Sequence, residues 1–125
     1  MSAQFVGTTF ALILGQLVKV LRDSTTPPMT QSDIAKILDT SVMSVSRLEK
    51  GTSELSVAEL ECLSQYFQIP ADKLIKVCID VKNLLIDQKC IVLQDKHQLK
   101  KMKDFKKLDR KIIYELCKKV ASTTF

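Results

Sequence analysis

The stretch from Thr30 to Gly51, TQSDIAKILDTSVMSVSRLEKG, leaves little choice of local structure. Thr30 and Ser41 are both good helix N-caps, because a short side-chain hydroxyl satisfies an otherwise unpaired backbone N–H. Asp33 sits where a carboxylate favours the positive start of a helix. Ile34, Ala35 and Leu38 recur at helical spacing after the first cap, and Val45 and Leu48 do so after the second. Gly51 fits the position just past a helix end, where glycine adopts the left-handed conformation most cheaply. Two short helices follow, Gln31 to about Leu38 and Ser41 to about Lys50, with Asp39 and Thr40 as a tight connection.

The flanking sequence is also helical. Thr8 or Thr9 caps a helix that runs to about Asp23. It carries two apolar stripes, one of Leu14, Val18 and Leu21 and one of Phe10, Ile13, Leu17 and Val20. Such a helix needs partners on two sides: the N-terminal core on one, and the C-terminal extension or a second subunit on the other. The adjacent prolines in STTPPM end any helix there. SVAE at Ser56 to Glu59 is a capping box that opens a fourth helix, with Leu60, Leu63 and Phe67 inward. Pro70 suits the first turn of a fifth.

Beyond it, Leu74, Cys78, Val81 and Leu85 alternate in steps of four and three, as on a helix–helix seam. Ile75, Ile79 and Ile86 lie beside them, and so much apolar surface is not expected to face water. CIVLQ at Cys90 to Gln94 either extends this helix or forms a short strand; periodicity does not decide. QDKHQLKK reads as a polar break. A last basic amphipathic helix is predicted to carry Phe105, Leu108, Ile112, Leu116 and Val120 on one face.

Composition bounds the function. With 125 residues, 46% of them hydrophobic, the chain is long enough for one compact domain, or a module plus an extension, with a real core. FALILGQLVKVL is interrupted by Gln16 and Lys19 and is far shorter than the roughly 20 residues of a membrane span, so a soluble cytoplasmic protein is expected. Cys62, Cys78, Cys90 and Cys117 form no C-x-x-C pair, and His97 is the single histidine, so a metal site is not expected. The four cysteines read as small core residues in a reducing cytosol. No glycine-rich phosphate loop, Ser/His/Asp set or cofactor pocket is readable, and the chain is not expected to be an enzyme.

The net charge of +5 is uneven. Residues 1–70 hold five Lys/Arg against seven Asp/Glu, and residues 71–125 hold fourteen against seven. The excess lies mostly between Lys96 and Lys119. Lys100, Lys101, Lys103, Lys106, Lys107 and Lys111 therefore form either a solvated helix face or a surface for nucleic acid phosphates.

A helix pair meant to lie on DNA needs a small residue in the first helix, a branched apolar residue facing back from the second, and polar residues at the helix starts. Ala35, Val45 and Gln31, Ser41, Ser44, Ser46 meet these needs. From Leu14 to Leu74 the chain resembles the DNA-binding module of the phage repressor/Cro family, also called lambda-repressor-like or xenobiotic-response-element (XRE) proteins. The resemblance rests on LR at the end of helix 1, TQSDIAKIL, SVSRLEKG and the S-x-x-E-L opening of helix 4. There are departures. Asp39 stands where the family usually has glycine, Thr40 where it has an apolar residue and Leu55 where proline is common. Pro27 and Pro28 lengthen the loop before helix 2.

The resemblance implies a five-helix helix-turn-helix module over residues 8–75; with the scarcity of Gly, Pro and strand-favouring aromatics and the two-striped helix 1, an all-α fold is expected, with a helical extension over 76–125 that covers helix 1 and builds a homodimer. The resemblance also implies a sequence-specific transcriptional regulator in a bacterium, phage or mobile element, at the nucleoid, bound to double-stranded DNA at a pseudo-palindrome. Helix 3 would enter the major groove, with Val42, Met43 and Ser46 at base edges and Arg47 beside them. Gln31 would bind a phosphate, Ser41, Lys50, Thr52 and Ser53 would grip the backbone, and Ser44 would add a polar DNA contact at the helix start. Arg22 and Glu49 would form a structural ion pair. The alternative is a protein-interaction module of the same fold, an antitoxin or regulatory adaptor with a protein partner. The apolar Val42 and Met43 and the acidic N-terminal balance favour that alternative.

Overall fold

The computed structural model describes residues 5–94 and 105–125. In chain order these form β1 (Phe5–Thr9), α1 (Phe10–Asp23), α2 (Gln31–Leu38), α3 (Val42–Glu49), α4 (Val57–Phe67), α5 (Ala71–Asp87), β2 (Ile91–Leu93), β3 (Phe105–Lys107) and α6 (Arg110–Thr124). QDKHQLKK, with His97, Lys100 and Lys101, lies outside the described residues but for its first glutamine, and Lys103 lies outside them too.

The helix starts follow from their caps. The hydroxyls of Thr9, Thr30, Ser41 and Ser56 accept from the backbone N–H of Leu12, Asp33, Ser44 and Glu59. At Thr30 and Ser56 the carboxylate three residues on reaches back to the cap's own N–H, which completes two capping boxes. Each cap stabilises its helix by about 1 kcal/mol. Asp39 ends α2 with φ 53° and ψ 53°, the left-handed conformation that the short connection demands.

The expectation of an all-α chain is corrected. Six helices dominate the described residues, but β1 is the middle strand of a small parallel sheet in the order β2-β1-β3. Gly7 sits opposite Ile91 on one side and Lys107 on the other. These strands are three to five residues long, and their partners come from the far end of the chain. Pairing of that kind leaves no trace in local periodicity, and parallel strands need long connections between them. CIVLQ resolves to the short strand β2.

The core is continuous from the N-terminal helices to α6. Both stripes of α1 are largely covered within the chain, by α3 on one side and by α5 and α6 on the others. Leu74, Cys78, Val81 and Leu85 are buried as the seam predicted. Their neighbours Ile75, Ile79 and Ile86 do face solvent in the single chain.

The inward face of the last helix also needs correction. Phe105 belongs to β3, Leu108 precedes the helix, and Ile112 is exposed. Ile113, Cys117 and Ala121 are the buried stripe, one position on, with Leu116 and Val120 packed at its edge. The predicted phase failed because it was anchored on Phe105 and Leu108, which are not helical. Of the cysteines, Cys78 and Cys117 are buried, Cys90 is partly covered and Cys62 is exposed, so the core reading fails for Cys62. Burial pushes the Cys117 thiol up to about 12 and the Cys78 thiol upward as well, which keeps both protonated at neutral pH.

Candidate nucleic-acid interface

The second helix of the Thr30–Gly51 pair crosses close over α1 and α2. Ala35 is buried at the crossing, and its carbonyl accepts from Thr40 N at 2.9 Å. Val45 is fully buried and faces back from α3. Gly15 of α1 lets α3 approach still closer: a Cβ there would lie 1.8 Å from the Leu48 carbonyl oxygen. Gln16, next to it, donates to the Glu49 carbonyl at 2.5 Å. Both residues fix the angle of α3, and neither was singled out from the sequence. Their signal was a glycine and a glutamine inside an otherwise apolar run, where a buried polar side chain must find a partner.

Glu49 is the centre of the support. Its carboxylate is almost fully buried, yet accepts from Arg22 Nε at 2.7 Å, from Arg22 Nη2 at 2.9 Å and from Gln31 Nε2 at 3.1 Å. The Arg22 guanidinium is held above its ordinary pKa, chiefly by the hydrogen bonds to Glu49. The expected structural pair is therefore present, and it also holds the Gln31 side chain. Gln31 retains its second N–H and its carbonyl for another partner.

In front of this support α3 presents two rows. Val42, Ser46 and Lys50 follow one another at four-residue intervals, with Met43 and Arg47 beside them. Val42 and Met43 are 46% and 62% exposed. Arg47 lies back along the helix, its Nη2 3.3 Å from the Met43 sulfur. Ser41 and Ser44 form the N-terminal cap, with their hydroxyls 2.9 Å apart. At the other end, Thr52 donates from Oγ1 to the Arg47 carbonyl at 3.2 Å, while Lys50 is exposed and Ser53 half-buried.

Among the expected contact residues, Gln31, Ser46 and Lys50 share one cleft with Arg22 and Glu49. Lys50 shares another with Thr52. Ser41, Ser44, Val42, Met43, Arg47 and Ser53 border neither. The far walls of both clefts come from the C-terminal part of the chain, an arrangement that sequence reasoning did not anticipate.

The family model described as helix-turn-helix matches residues 29–74, which is 46 of the 125 residues. No curated protein and no solved structure among those compared matches the chain. Over residues 29–74 the chain is therefore similar to the helix-turn-helix family, in agreement with the resemblance to phage repressor/Cro-like (XRE) modules carried by TQSDIAKIL and SVSRLEKG. The matched segment begins after α1, so the support from Gly15, Gln16 and Arg22 lies outside it. No described helix is long and apolar enough to cross a membrane, and no group of metal-ligating residues is found among the described residues.

Proposed function

We propose that the protein is a sequence-specific transcriptional regulator that binds DNA as a homodimer, with α3 in the major groove. One observation carries this reading. The outward rows of α3 stand on a packed, hydrogen-bonded base, and Gln31, at the edge of that face, is held by the buried Glu49. Preorganised side chains lose little freedom on binding, which favours contact with a fixed DNA surface. Gln31 donates to a phosphate, Ser46 meets base edges, and Val42 and Met43 pack on thymine methyl groups. Ser41, Lys50, Thr52 and Ser53 hold the backbone on either side. A single module reads half a site, so a two-fold pair on half-sites roughly 34 Å apart doubles the contacts.

The exposure of Met43 favours a second reading, in which the same face docks on a protein. Selection from a pool of random duplexes at two salt concentrations separates the two. The DNA reading expects a palindrome, lost in a Gln31→Ala/Ser46→Ala variant of unchanged fold. Weak binding with no preferred sequence, indifferent to those substitutions, sinks it in favour of the protein partner.

A further inference from the structure

We infer that Lys107, Arg110 and Lys111 form a phosphate-binding shelf that continues the DNA interface from the end of α3. The inference rests on the groove-binding reading above and adds a surface that lies outside the helix-turn-helix segment.

The shelf begins with the small sheet. β3 pairs with β1 so that Lys107 stands opposite Gly7, and Leu108 N donates to the Gly7 carbonyl at 2.9 Å. The start of α6 is then fixed by Asp109, whose carboxylate accepts from Lys111 N at 2.9 Å. These contacts hold the segment against the body of the protein. They bring Lys107 and Arg110 to the cleft that holds Lys50 and Thr52, and Arg110 and Lys111 to the cleft that holds Gln31 and Ser46. Arg110 and Lys50 border both.

The chemistry of the first cleft suits an anion. Its described lining has three cationic side chains, Lys50, Lys107 and Arg110, and no carboxylate. Thr8 also lines it, and the buried Thr8 hydroxyl has no hydrogen-bond partner. The second cleft is mixed, because Glu49, Asp109 and Glu115 border it as well.

Charge explains why such a shelf is needed. Residues 29–74 hold four Lys/Arg against seven Asp/Glu, which repels a polyanion overall. Residues 105–125 hold six against two. The fold therefore brings cations from the C-terminal part to the side of the module where Lys50 and Thr52 meet the DNA backbone.

The test is fluorescence anisotropy with a selected duplex and an unselected one, across a range of salt. Wild type is compared with Lys107→Gln/Arg110→Gln/Lys111→Gln and with an equal charge loss elsewhere, Lys73→Gln/Lys76→Gln/Lys82→Gln. Thermal melting checks that all three fold alike; all six positions lie at or near the surface. The expected result is at least a tenfold loss of affinity for the shelf variant on both duplexes. Its log K against log salt slope should become shallower by about 2–3, the value for three lost phosphate contacts. Its preferred sequence should be unchanged. An unchanged slope, or an equal loss in the α5 variant, overturns the shelf. Failure of wild type to select any sequence overturns the groove reading instead, and the shelf is then judged by the slope on the unselected duplex.

Discussion

Arg22 clasps Glu49 through two parallel hydrogen bonds, Nε to Oε2 at 2.7 Å and Nη2 to Oε1 at 2.9 Å, across the contact between α1 and α3. This bidentate geometry is the strong form of the arginine–carboxylate pair. Glu49 is only 4% exposed, so removing its partner strands a poorly solvated charge. Arg22→Met is expected to lower stability by about 3 kcal/mol. Arg22→Met/Glu49→Leu, which removes both charges, should recover much of that loss. Urea denaturation of both variants is the check. A single variant no less stable than the double would refute the idea of a stranded charge.

The close approach of α3 to α1 depends on one missing atom group. At Gly15 a Cβ would meet the Leu48 carbonyl oxygen at 1.8 Å, and backbone cannot swing aside as a side-chain tip does. Gly15→Ala should therefore push the helices apart, break the Gln16 bond to Glu49 and cost about 3 kcal/mol. Loss of sequence preference should accompany it even below the melting temperature. Normal melting and normal DNA selection in this variant would remove the argument for Gly15 as a spacer.

Asp39 holds φ 53° and ψ 53°, a region where a side chain clashes with its own backbone. The chain tolerates Asp there because its short polar side chain suffers less than most. Asp39→Gly removes the clash without touching the core and should raise stability by about 1 kcal/mol. A higher urea midpoint with an unchanged slope would support this. A lower one would show that the carboxylate itself stabilises the turn.

What the sequence revealed follows from the range of the interactions. The caps at Thr30, Ser41 and Ser56, the turn at Asp39 and the inward Ala35 and Val45 are set by neighbours within a few residues. All were legible. The Arg22–Glu49 pair spans 27 residues, and only the family resemblance pointed to it. The sheet that joins Gly7 to Ile91 and Lys107 is set by contacts more than 80 residues apart. No local pattern encodes it, and without it neither the inward face of α6 nor the position of Arg110 beside Lys50 was within reach.

Asp33 gives a pH signature for α2. Hydrogen bonds from the Thr30 backbone and side chain hold its carboxyl below the ordinary value. A depressed carboxyl contributes stability that is fully present above the unfolded value, near 3.9, and is lost as pH falls through the folded one. Asp33→Asn should thus melt below wild type at pH 6, and the gap should close under acid conditions below about pH 4. Melting curves across pH 2–7 measure it. A gap that stays constant with pH would show that Asp33 acts without its charge.

Ile75, Ile79 and Ile86 form a row on the outer side of α5, exposed by 38%, 41% and 48%. The buried face of the same helix is filled by Leu74, Val77, Cys78, Val81 and Leu85, so the isoleucines lie outside the core and leave apolar surface open in the single chain. In the proposed homodimer this row is the expected contact. In a two-fold pair each residue appears on both sides, so one substitution changes the interface twice. Ile79→Glu removes apolar contact and sets like charges against each other, which should weaken the dimer by on the order of a hundredfold in Kd. Thermal stability of the monomer should hardly change, because the position faces water there. Sedimentation equilibrium decides it. Wild type must be dimeric and the variant largely monomeric at the same concentration, and a variant that stays dimeric would move the interface away from α5.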